Sequence, residues 1–97
     1  MRKITLIDIH PSGDGYQLIF IDGELFMQGD DYHDKILDNL VGIKNYLNFC
    51  GEPYEEESCE LEPKKSGKYW FDLNYAPKEG ENLEAYLKRA GKQFTIE

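Results

Sequence analysis

The chain has little of what would make it a disulfide scaffold, a membrane span or a cofactor enzyme. Two of its 97 residues are cysteine, so Cys50 and Cys59 could form one disulfide at most. A reducing cytosol would not maintain it, and both read as thiols. No apolar run approaches the roughly 20 residues that a membrane helix needs, and "MRKITLIDIH" enters an alternating pattern without a signal-peptide core. A cytoplasmic location without membrane contact is the expectation. The G-x-S-x-G, G-x-G-x-x-G, P-loop and H-E-x-x-H signatures are missing, and "PSGDG" reads as a hairpin turn and not a phosphate cradle. No enzyme, catalytic residue or cofactor is expected.

Positive charge is scarce as well. Lys and Arg number 11 against 19 Asp and Glu, for a net charge of -8. Between Ile4 and Glu62 fourteen acids meet two lysines, whereas Pro63 to Glu97 holds five acids and seven bases. A field of this sign repels nucleic acid and anionic membrane and attracts basic proteins. Direct nucleic-acid binding is therefore not expected, and a basic protein partner is.

What is present is enough to fold. Apolar residues make up 40% and aromatics 13%, which suits a single domain over residues 1–97. "KITLIDI" (Lys3 to Ile9) and "YQLIFID" (Tyr16 to Asp22) are β-branched and aromatic runs separated by turn residues. Asp22-Gly23 then signals a type I′ hairpin into a third strand near Glu24 to Gln28. Tyr16, Leu18 and Phe20 should face one way and Ile19 and Ile21 the other, so both faces of the meander need a cover. "GDDYHDKILDNLVGIKNYLNFCG" predicts a helix of about five turns, with Asp30 as N-cap, Asp31 and Asp34 in the first turn and Gly51 as terminator. Its apolar stripe is Tyr32, Ile36, Leu40, Ile43 and Leu47, widened by Leu37 and Val41. "KYWFDLNYA" alternates as a strand, "ENLEAYLKRAG" predicts a short amphipathic helix, and "QFTIE" closes as an edge strand. The expected fold class is α+β: an antiparallel sheet in the order β-β-β-α-β-α-β with one long and one short amphipathic helix.

Between the two helices, residues at about 51–67 lack periodicity and read as a long acidic loop. It holds Glu52, Tyr54, Glu55, Glu56, Glu57, Glu60 and Glu62. Together with Asp31, Asp34 and Asp38 on the flank of the long helix, these are the candidate partner-binding residues. Trp70, on the polar face of its strand beside Lys64, Lys65 and Lys68, is a candidate interface anchor. Whether the acids form one surface or two patches stays open, and a solvated loop is the plain alternative. No metal site is expected: His10, His33, Cys50 and Cys59 lack the close pairing of zinc ligands. Counted from Asp30, the sixth and twelfth positions hold Lys35 and Val41 where a calcium loop needs Gly and Glu.

Three classes follow. The first is a small acidic, non-enzymatic protein-binding module that inhibits a nucleic-acid-binding or defence protein through nucleic-acid-like negative charge. The second is a self-associating structural protein or one that sequesters small anions, with homodimerisation open. The third is a small enzyme dependent on His10 or His33. In size, acidity, tyrosine richness and meander-helix start the chain resembles, in general character, small accessory proteins encoded by bacteriophages. Some of those inhibit host restriction enzymes and CRISPR nucleases. The resemblance implies a stoichiometric inhibitor and assigns no residue a role.

Overall fold

A strand with apolar side chains on both faces needs a neighbour on each edge and a cover on each side. That strand is β1 (Arg2–Ile9), in which Ile4, Ile7 and Ile9 are fully buried. The computed structural model describes residues 1–9, 16–30, 34–63, 76–92 and 94–96. On one edge of β1 lies β2 (Tyr16–Ile21), antiparallel, with Ile4 opposite Ile21 and Ile9 opposite Tyr16. Asp22 and Gly23 have φ of 54° and 84°, the pair of positive values that a type I′ turn requires, and lead into β3 (Glu24–Asp30). Along β3, Met27 faces Ile19 but Leu25 faces Phe20, so Phe26 is the extra residue of a β-bulge.

The long helix, α1 (Ile36–Phe49), starts later than the sequence predicts. Asp30 is the last residue of β3, paired with Tyr16, and its backbone stays extended in the ladder. The cap position belongs to Lys35, in the left-handed region, and Asn39 Nδ2 donates to the carbonyls of Asp34 and Lys35. The Asp34 carboxylate accepts from the Asp30 N–H at 3.0 Å and lies against Gly29, where a β-carbon would collide with it. At the other end Gly51 (φ 68°) closes the helix as expected. Its N–H donates to Asn48 and that of Glu52 to Leu47, the paired bonds of a Schellman turn.

The chain then returns beside β1 as β4 (Tyr54–Pro63), parallel to it, with Arg2 opposite Tyr54 and Ile9 opposite Leu61. Two expectations change here. The acidic stretch is a strand for ten of its residues and not a loop, and the sheet is mixed and not antiparallel. Last come α2 (Leu83–Ala90), capped by Asn82 accepting from the Ala85 N–H, and β5 (Phe94–Ile96), antiparallel to the end of β4. The sheet runs β3-β2-β1-β4-β5. The strand expected around Tyr69–Tyr75 lies outside the described residues.

One helix covers each face. On the α1 side Ile36, Leu40 and Leu47 pack on Ile4 and Ile19, with Ile43, Leu6, Ile21, Met27 and Tyr54 half-buried around them. On the α2 side Tyr86 and Ala90 pack with Ile7, Leu18, Phe20, Leu61 and Phe94. The expected split of β2, with Leu18 and Phe20 against Ile19, is present. Leu37 and Val41 do not widen the buried stripe of α1; they are exposed at 39% and 52%, because the sheet meets only the opposite arc of the helix. The result is a small α+β domain of three layers.

Candidate protein-binding surface

As a strand, β4 sends alternate side chains to opposite faces. Glu56, Glu60 and Glu62 are on the α1 side and Glu55 and Glu57 on the α2 side, so the acidic run makes two rows and not one surface. Glu52, Glu56 and Glu57 each meet a described cation. Glu56 meets Lys44 Nζ at 3.2 Å, Glu57 meets Lys3 Nζ at 3.4 Å and accepts from Thr5 Oγ1 at 3.1 Å, and Glu52, in the turn before β4, meets Arg2 Nε at 2.9 Å. All three pairs are solvated enough that each contributes little to stability. Tyr54 is drawn into the α1-side core. Asp34 is engaged by the Asp30 backbone, and Asp38 is exposed in the first turn of α1. Asp31 and Trp70 lie outside the described residues, as do Lys64, Lys65 and Lys68.

Among the described residues no strand pairs with Tyr54–Glu60 on the side away from β1, since β5 reaches only Leu61, Glu62 and Pro63. Charged side chains on such an edge oppose pairing with other chains. The glutamates thus have one structural role without any partner.

A second feature was not anticipated from the sequence. Between α1 and β3 runs an open groove of about 730 Å³. Ile21, Met27, Ile43 and Leu47 form its floor, and Phe26 and Tyr46 rise on either side with 58% and 66% exposure. Gly42 lines the helix wall. Arg2, Glu24 and Glu52 lie at one end. The Arg2 guanidinium is shared between Glu52 and Asp22, each at 2.9 Å. The Lys3 N–H, and after it Arg2, hold the Asp22 carboxyl below its usual range. Carboxylates outnumber cations at this end: Arg2 is already bridged by Asp22 and Glu52, the Met1 ammonium also acts on Asp22, and Glu24 makes no ion pair with any described residue. The two clues in the sequence were the additional residue in "ELFMQGD" that makes the bulge and the glycine inside a helical run.

Cys50 is an exposed thiol at the end of α1, and Cys59 is a half-buried one whose pKa burial pushes up, away from a reactive thiolate. Among the described residues no three His, Cys, Asp or Glu side chains converge to hold a metal, and His10 and His33 fall outside them. No described helix is long and apolar enough to cross a membrane. No protein-family model, curated protein or solved structure matches the chain.

Proposed function

We propose that the chain is a small acidic, non-enzymatic protein-binding module of the cytoplasm whose partner is a basic protein. A nucleic-acid-binding or defence enzyme is the partner class that nucleic-acid-like charge would engage, as in the phage inhibitors that the chain resembles in general character. The observation that carries the reading is the display of carboxylates by β4. Side chains two residues apart on one face of a strand are about 6.6 Å apart, so Glu60 and Glu62 on one side and Glu55 and Glu57 on the other form short, regular anionic rows. Both rows are exposed, on a chain of net charge -8.

The test is capture of partners on the purified protein at low and high salt, followed by titration of the recovered protein against two variants. Glu60→Gln/Glu62→Gln removes charge from the α1 side and Glu55→Gln/Glu57→Gln from the α2 side. Binding should weaken, and lose part of its salt dependence, for the pair that meets the partner. Unchanged affinity and unchanged salt dependence in both variants would sink the charge-based reading. Self-association is the second reading, favoured by the exposure of Val41 and of Phe49, at 89%, on the outer arc of α1. It predicts a dimer in sedimentation that persists in high salt.

A further inference from the structure

We propose that the groove between α1 and β3 is the recognition site for a short segment of a partner protein that carries a large apolar side chain flanked by Lys or Arg. The inference rests on the protein-binding reading and assigns it a place and a ligand chemistry. The apolar half of the requirement comes from the lining: aliphatic side chains from both elements on the floor, with one aromatic ring on each wall. A groove with exposed aromatic rings and a hydrophobic floor has the make-up of an anchor pocket. The cationic half comes from its end. Glu24 and Glu52 line that end together with Arg2, whose donors already serve Glu52 and the neighbouring Asp22, so even with the Met1 ammonium near Asp22 carboxylates outnumber cations and an incoming Lys or Arg is favoured over an anion.

Gly42 is an independent pointer to the same place. It lies within α1, where glycine is the poorest residue short of proline. Nothing in the fold calls for it: its φ is not positive, and a β-carbon built there would have no atom within 4 Å. A side chain at this position would stand at the outer rim of the groove, next to Tyr46 on the same flank of α1. A helix that forgoes a favourable residue on an uncrowded groove wall fits a surface kept open for a ligand. The bulge acts in the same sense. It places Phe26 on the rim, half exposed, where a regular ladder would have paired it with Ile19.

The experiment is selection of a phage-displayed random-peptide library on the folded protein, with parallel panels on Gly42→Trp and on Glu84→Gln, a charge change at an exposed position of α2 on the opposite face. Peptides combining an aliphatic or aromatic residue with neighbouring Lys or Arg should be enriched. Their affinity should fall about tenfold or more on Gly42→Trp, whose melting temperature stays at or above that of the parent, and stay unchanged on the glutamate variant. Tyr46→Ser, at an exposed position outside the core, should weaken the same peptides. Equal binding to the parent, Gly42→Trp and Tyr46→Ser overturns the groove while leaving a binding module elsewhere on the surface. Failure to enrich any peptide counts against both. Enrichment of acidic or purely polar peptides overturns the assigned chemistry. So does a concentration-dependent amide shift at Tyr46 without peptide, which would make the occupant a second copy of the chain.

Discussion

The two faces of the sheet are finished differently. On the α2 face a helix of eight residues seals the core: Tyr86 is fully buried with its ring centroid 6.1 Å from that of Phe20, and Phe94 closes the side. Arg89 locks this arrangement from outside. Its guanidinium lies 5.5 Å from the centre of the Tyr86 ring, forms a two-pronged bond to Glu81 at 2.8 and 2.9 Å, and donates to the Ala76 carbonyl. On the α1 face a helix of fourteen residues covers its sheet less completely and leaves the groove. Helix length does not decide closure here. What decides it is whether side chains on the flank of the helix reach across to the sheet, and at Gly42 none does.

The contrast is broken most severely at the sealed face. Tyr86→Ala should cost about 3–5 kcal/mol in denaturant unfolding, as for other buried aromatic truncations, whereas Tyr46→Ala, the same change on the open face, should stay within about 0.5 kcal/mol. Equal losses would mean that the groove is packed in solution. The next effect is at the lock. Glu81 has its carboxyl held down to about 2 by Arg89, against an ordinary 4.5. A carboxylate with a depressed folded-state value stabilises the fold fully above its unfolded value and loses that contribution as pH falls through the folded one. The melting temperature should therefore drop between about pH 4.5 and pH 2. Glu81→Gln should be less stable by about 1–3 kcal/mol at neutral pH and show a shallower decline. A parallel pH profile in the variant would remove Glu81 from the account. Smallest and opposite in sign, Gly42→Ala should stabilise by about 1 kcal/mol, the difference in helix propensity. A destabilising result would show that the open wall is needed by the fold itself.

Much of the α1 and α2 packing was legible in the sequence because it is periodic. Ile36, Leu40 and Leu47, and Tyr86 and Ala90, are buried where the helical spacing placed them. The Asp22-Gly23 turn was legible because its requirement is local. β4 was not. Glutamate is depleted in strands, and the inward residues Cys59 and Leu61 are too few to show alternation amid five glutamates. The overlooked signal was in β1, since "ITLIDI" is apolar on both faces and so needed a second neighbour. That neighbour could only be supplied from the far end of a helix, which makes the pair parallel. The start of α1 was misplaced because Asp30 satisfies a capping pattern as well as a strand end, and pairing with Tyr16 decides between them. The two clues to the groove, the extra residue of β3 and Gly42, do not combine in the sequence, because the groove exists only where a bulged edge and a helix flank meet.

The parallel pair also sets the order of assembly. Every β1–β4 partner is 52 positions away along the chain, while β1 and β2 pair within the stretch from Ile4 to Ile21. Local pairings form early and distant ones late, so the meander has to wait, with one edge of β1 bare, until α1 brings β4 back. Bare apolar edges recruit other chains. The strand that ends this exposure carries Glu55, Glu56 and Glu57 in succession, and two unpaired copies of it repel. For as long as β4 is unpaired, that repulsion disfavours the pairing of one copy's β4 with another's.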